Sequence, residues 1–193
     1  MMSNLIPTIG LEVHLELKTN TKLFSGSLNR YGKTPNTLVN EIDLGYPGVL
    51  PTININAIKL AIKAAYLLNC QITDLMHFDR KNYFYPDNAK SYQITQNLTP
   101  IGREGYIEVN SKEGLKKIHI ERVHVEEDTA KSMHSKGKTL LDFNRAGVPL
   151  IEIVTKPDIT CAEDAQLYLE KLKELMYYAN ISDGKIEEGS MRC

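Results

Sequence analysis

The chain has 193 residues, of which 42% are hydrophobic and 24% charged, with a formal net charge of -1. Ordinary apolar content and almost no net charge exclude a generally disordered polypeptide, and near-neutrality argues against a general nucleic-acid clamp, which carries a basic excess. No apolar run reaches the roughly 18 residues of a membrane span, Met1 to Thr8 lacks the features of a secretory leader, and cytoplasmic localisation is the default.

In chain order, the first element is Ile9 to Lys18, where Ile9, Leu11, Val13, Leu15 and Leu17 alternate with Gly10, Glu12, His14, Glu16 and Lys18. Period two means a strand with one apolar and one polar face. Residues 19 to 52 carry scattered Gly, Pro, Asn and Ser and read as a long loop. Asn56 caps a predicted helix to Asn69, with Ile58, Ala61, Ile62, Ala65 and Leu68 as its apolar stripe. Short strands are expected near Met76 to Phe78, Tyr83 to Tyr85 and Tyr92 to Thr95, then a hairpin of Gly105 to Val109 with Lys116 to Glu127. That second strand changes phase, from Ile118 and Ile120 to Val123 and Val125, so a bulge is expected near Glu121-Arg122. Lys131 to Lys138 reads as a polar turn, and Thr139 to Asn144 pairs with Pro149 to Thr155. Thr160 and Glu163 form a capping-box pattern opening a second helix to Ala179, and Ile186 to Cys193 begins a further element. The order gives an α+β fold with a mainly antiparallel sheet and flanking helices, without internal repeat or linker.

The candidate chemistry is acidic. Glu12 and His14 share a strand face at roughly 6.6–6.8 Å, with Glu16 next along it, and Glu126-Glu127-Asp128 ends the long strand. If those strands pair, several carboxylates and one imidazole come together in a set that suits Mg²⁺ better than Zn²⁺; the plain alternative is a solvated strand face. Arg80-Lys81 among aromatic residues suits phosphate oxygens. Glu152 interrupts an apolar strand and must be paired, with a structural salt bridge the simpler reading. His77, His119 and His134 have no partner spacing. Gly137-Lys138-Thr139 fails as a P-loop because Ser132 stands where the first glycine belongs. The three cysteines, Cys70, Cys161 and Cys193, form no CxxC or CxC pair and indicate neither a disulfide framework nor structural zinc.

Several motifs, spread in order over nearly the whole chain, resemble the GatB family, one component of the tRNA-dependent amidotransferases known as GatCAB. They are IGLEVHLELK (9–18), FDRKNYFYPD (78–87) with SYQITQ (91–96), HVEEDTAK (124–131), LDFNRAGVPLIEI (141–153) and EEGSMRC (187–193). The resemblance implies a ligase of protein biosynthesis that uses ATP to phosphorylate the side-chain carboxylate of Glu-tRNA(Gln) and, in many members, Asp-tRNA(Asn). Ammonia from the glutaminase subunit then displaces phosphate. It further implies a cradle domain like those of glutamine synthetase and guanidino kinases, of which residues 1–193 would be the N-terminal part. The rest of that domain and the helical tail domains that grip tRNA would be absent. The implied partners are the amidase GatA and the small GatC of the GatCAB heterotrimer, with no membrane.

Carried over by motif, Glu12, His14, Glu126 and Glu127 are the expected Mg²⁺ ligands and, with Lys81, the catalytic set. Arg80, Lys81, Asn82, Tyr83 and Tyr85 are the expected ATP contacts, with Glu187 and Glu188 at the rim. Many members carry a Cys pair for zinc where this chain has Ser25 and Ser27, so no zinc is expected. The rival expectation is a non-catalytic fragment that only docks on the amidase.

Overall fold

The computed structural model describes residues 5–193; Met1 to Asn4, half of the stretch read above for a leader, lie outside them. Strand β1 (Glu12–Glu16) is followed by the loop over residues 19–52 and helix α1 (Ile55–Leu67). Then come β2 (Gln71–Ile72), β3 (Asp79–Asn82), β4 (Tyr92–Thr95), β5 (Gly102–Ser111), β6 (Gly114–Glu127), β7 (Lys131–Ser135), β8 (Lys138–Asp142) and β9 (Pro149–Thr155). Helix α2 (Ala162–Tyr178) and β10 (Met191–Arg192) end the chain. All pairings are antiparallel: a six-stranded sheet in the order β10-β1-β9-β6-β5-β2, and the hairpins β3-β4 and β7-β8. The α+β, mainly antiparallel class expected from the sequence is what the chain adopts.

The alternation of β1 sets the layers. Val13, Leu15 and Leu17 point inward and join Ile118, Ile120, Val123, Val125, Ile151 and Ile153 in one core beneath the two helices. α1 contributes Ala57, Ile58, Ala61, Ala64 and Ala65, and α2 contributes Tyr168, Leu172 and Met176. Each large aliphatic chain so buried contributes about 1.5–3 kcal/mol. Among the described residues no helix is long and apolar enough to cross a membrane.

The expected bulge is present: Ile120 lies opposite Thr155 and Arg122 opposite Val154, so Glu121 is the extra residue. It has a functional consequence. Side chains alternate across a strand, and without the extra residue His124 and Glu126 would share the inward face of Ile118 and Ile120. The bulge turns them outward and sends Val123 and Val125 into the core.

Several local expectations are corrected. Met76 to Phe78 and Tyr83 to Tyr85 are not strands; the strand lies between them at Asp79–Asn82, where polar residues hide it from pattern reading. Lys131 to Lys138 is not a plain turn, and Thr139 to Asn144 does not pair with Pro149 to Thr155. β7 pairs with β8 instead, across Lys136-Gly137, both at positive φ (48° and 74°), the two-residue hairpin geometry that follows strand twist. Helix α1 is capped by Asn54, whose side chain accepts from Asn56 N. The Thr160 capping box does not form, because α2 starts from Cys161. Glu163 and Asp164 still lie in the first turn, where carboxylates favour the helix dipole, and Asp164 holds Lys116 Nζ of β6 at 2.8 Å.

At the β5 end of the sheet, a Cβ on Gly105 would sit 2.4 Å from both Cys70 Sγ and the Leu68 carbonyl oxygen. Backbone contact at that distance cannot be relieved by a rotamer change. Gly105→Ala is expected to cost about 1–3 kcal/mol, as overpacking does, read from the midpoint of urea unfolding.

Candidate metal centre

The outward face of the sheet carries the candidate site, and strand register builds it. His14 lies opposite Glu152, Glu152 opposite His124, and His14 on its other side opposite Arg192. Four adjacent strands therefore present the row Arg192, His14, Glu152, His124, with Glu126 two residues beyond His124 on the same face. His14 Nε2 is 3.3 Å from Glu126 Oε1 and 3.0 Å from Glu152 Oε2. His124 Nε2 lies 3.5 Å from Glu126 Oε2 and 3.6 Å from Glu152 Oε2. One donor atom each from His14, Glu126 and Glu152 falls within a 4.8 Å group.

The buried Glu126 and the half-buried Glu152 need a cation, and the protein supplies one as a proton. Hydrogen bonding to Glu126, then to Glu152, holds the His14 imidazole up at about 9, against the opposing pull of burial. Burial alone would raise the Glu126 carboxyl, but hydrogen bonds from His124 and His14 outweigh it and hold it down at about 2. Glu152 is likewise held below the usual carboxylate range, burial being outweighed chiefly by His14. Buried His124 Nδ1 has no partner among the described residues. Two carboxylates and an imidazole, with oxygens predominating, fit a hard divalent cation.

Of the four residues expected as metal ligands, the structure gathers His14 and Glu126. Glu127 faces the other way, as adjacent strand residues must. Its Oε1 is ion-paired with Lys90 Nζ and accepts Ile94 N at 2.9 Å. Glu12 sits one row away, opposite Val154, exposed and outside the group. Glu16 lies on the other side of His14, its carboxyl pushed up to about 7 by burial and by the Asp128 charge. Glu152 and His124 are the members missed by sequence reasoning. The signal for Glu152 was its intrusion into an apolar strand; for His124 it was its spacing of two from Glu126. Glu152 is paired as required, with the histidines. Arg145 serves Asp128 at 3.5 Å and the carbonyls of Thr129 and Ala130, both at 2.9 Å.

The expected nucleotide residues lie on the β3-β4 hairpin, which reaches the site through β4. Thr95 Oγ1 donates to Glu126 Oε2 at 3.1 Å, and Gln93 Nε2 to the Glu127 carbonyl at 2.7 Å. Arg80 stacks over Tyr92, 4.4 Å from the ring centroid, and the rings of Tyr83 and Tyr85 stack at 6.0 Å. Lys81 and Asn82 are exposed. Glu187 and Glu188 line a cavity of about 610 Å³ together with Glu16. Ser25 and Ser27 both donate to Asp43, at 2.7 and 2.6 Å. Of the remaining histidines, His119 pairs with Asp158 at 2.6 Å, and His77 and His134 meet threonine hydroxyls.

The family model described as the GatB/GatE catalytic domain matches residues 7–193. The chain belongs to this family. Among curated relatives, the GatB subunit of the aspartyl/glutamyl-tRNA(Asn/Gln) amidotransferase of Geobacillus thermodenitrificans is 56% identical over 191 residues, 98% of this chain and 40% of the relative. Those of Bacillus thuringiensis and Bacillus mycoides are 56% identical over 190 residues, with the same coverage. The chain thus spans about 40% of the length of the curated relatives it matches. As a GatB/GatE catalytic-domain chain it falls among proteins named for an amidotransferase of translation, and its outward sheet face lies within the matched span.

Proposed function

We propose that this sheet face activates the side-chain carboxylate of Glu-tRNA(Gln), and of Asp-tRNA(Asn), with ATP for amidation by ammonia from a glutaminase subunit. The observation that carries the proposal is the convergence of His14, Glu126 and Glu152 from three different strands. The chemical need is plain: a free carboxylate, with a pKa near about 4.3, is anionic at neutral pH and resists nucleophiles. Its oxygen attacks the terminal phosphorus of ATP, the bond to the bridging oxygen breaks, and ADP leaves. Ammonia then attacks the acyl carbon, phosphate departs with the bonding pair, and the ammonium proton is lost to solvent.

The protein's part is positioning and charge neutralisation, the main needs of phosphoryl transfer. His14, Glu126 and Glu152 would hold Mg²⁺, with Glu12 within reach of the same face. A divalent cation there supplies positive charge for phosphate oxygens. His124 orients Glu126 and Glu152. Glu127 acts one step removed: its Lys90 pair and its bond to Ile94 fix β4 against the site. Arg80, Lys81, Asn82, Tyr83 and Tyr85 contact the nucleotide from the hairpin, a reading supported by the Thr95–Glu126 link. No zinc is part of the proposal.

The partners are the amidase GatA and the small GatC, with most tRNA contacts outside this chain. Mixing the chain with those two proteins and Glu-tRNA(Gln) should give ATP cleavage that depends on the aminoacyl-tRNA. Binding to them without such cleavage would favour the docking-fragment reading.

A further inference from the structure

Arg192 ends the row that contains His14, on the side away from the β3-β4 hairpin. The row also holds Glu152, with Glu126 next to it, but Arg192 pairs with neither of these carboxylates. Arg192 Nη2 donates to Asp128 Oδ2 at 2.8 Å. Asp128 is buried and is also held by its contact with Arg145 and by Thr129 N at 2.9 Å. Asp128 is the only acceptor for Arg192 among the described residues, and Arg192 Nε is buried without a partner. A guanidinium offers five donors in a planar fork that matches a carboxylate. Most of that capacity is unspent, on a side chain 36% exposed.

Two cavities meet at this residue. One, of about 630 Å³, contains Glu12 and His14. The other, of about 610 Å³, contains Glu16, Glu187 and Glu188 together with Arg30, Lys33 and Lys131. Arg192 is the one residue lining both. The second cavity is mixed in charge. Arg30, Lys33 and Lys131 make no ion pair among the described residues, and neither do Glu16 and Glu187. Such a wall suits a ligand that itself carries both signs.

We propose that this second cavity receives the aminoacyl end of the acceptor, with Arg192 gripping the side-chain carboxylate that is to be activated. The inference rests on the proposed function and adds its acceptor site. An aminoacyl ester at the end of a nucleic acid carries a carboxylate, an α-ammonium group and phosphodiesters. Arg192 takes the first, Glu16 and Glu187 face the second, and Arg30, Lys33 and Lys131 face the third. Nucleotide from the hairpin side and carboxylate from the Arg192 side then meet over the row of His14 and Glu152. Arg192 also discriminates, because an amide in place of the carboxylate brings no charge to the fork.

The test uses the chain with stable mimics, adenosine carrying a 3′-amide-linked glutamyl or glutaminyl group, together with Mn²⁺ and ATP. The glutamyl mimic should bind at least tenfold more tightly than the glutaminyl one. Arg192→Gln should erase that preference while leaving Mn²⁺ and ATP affinities within twofold. Arg192→Lys keeps a charge beside Asp128 but loses the fork, so it should lower the preference several-fold; it also serves if the glutamine variant does not fold. An unchanged preference in either variant overturns the proposal, as does loss of ATP affinity without loss of preference. A wild-type chain that binds Mn²⁺ and ATP but neither mimic refutes the acceptor site alone. One that binds the glutamyl mimic through Arg192 but never ATP supports the acceptor site and refutes the nucleotide reading.

Discussion

Glu152→Gln is expected to weaken Mn²⁺ binding to the chain by roughly 100-fold or more, beyond the 10–100-fold typical of residues that only support metal ligands. In the assembled amidotransferase it is expected to abolish ATP-dependent amidation while leaving glutaminase activity. Glu152 occupies the middle of the row, 3.0 Å from His14 Nε2 and 3.6 Å from His124 Nε2. Glutamine keeps the shape and one acceptor but removes the charge that a cation or an imidazolium requires. His14→Ala and Glu126→Ala should behave alike, because each takes one arm from the same group. Glu127→Gln should behave differently. Its carboxylate belongs to Lys90, so the change leaves a largely buried ammonium without its partner, a loss of up to about 3–5 kcal/mol for buried pairs. Metal affinity in the folded fraction should remain near wild type. Titration with Mn²⁺ alongside thermal unfolding separates the two outcomes, and unchanged Mn²⁺ affinity in Glu152→Gln would remove the triad from the mechanism.

The contrast between Glu126 and Glu127 shows where sequence reasoning reaches and where it stops. Alternation in β1 was legible because nothing interrupts it, so the polar face bearing Glu12, His14 and Glu16 could be assigned without coordinates. The phase change in β6 was legible too, and the bulge it required is present. Which of Glu126 and Glu127 faces the site was not, because the answer depends on where the extra residue sits. Glu152 could be recognised as a charge set among apolar residues and needing a partner. Its partners come from His14, 138 positions earlier, and His124, and only the order β1-β9-β6 brings them together. The polar hairpin β7-β8 escaped because its residues bury almost nothing, and period-two alternation reports a buried face.

The loop over residues 19–52 is also beyond pattern reading, and its anchor carries the second large effect. Lys22 is fully buried, its Nζ 3.2 Å from Asp43 Oδ2 and 3.3 Å from the Phe143 carbonyl oxygen. Asp43 also accepts from Ser25, Ser27 and the Asn40 backbone N–H, so one carboxylate ties four points of the loop together. Burial lowers the Lys22 pKa from its ordinary value, opposed mainly by Asp43. Lys22→Met keeps the aliphatic stem and leaves Asp43 buried without its cation, and should cost about 3–5 kcal/mol, measured by urea unfolding. Lys22→Met combined with Asp43→Asn should cost less than the sum of the two single changes, because neither buried charge is then left alone. A single-variant loss below about 1 kcal/mol, the range of exposed pairs, would show that water reaches the pair. The knot bears on the site through Gly147: its carbonyl accepts Leu23 N and its N–H donates to the Asp128 carbonyl, both at 2.9 Å. A Cβ on Gly147 would lie 3.1 Å from Asp43 Oδ1, at φ +82°, so the chain passes as close to the knot as glycine permits. Asp128 in turn holds Arg192. Loosening Lys22 should therefore weaken the Arg192-dependent preference for the glutamyl mimic before it alters Mn²⁺ binding, since His14, Glu126 and Glu152 are fixed by the sheet itself.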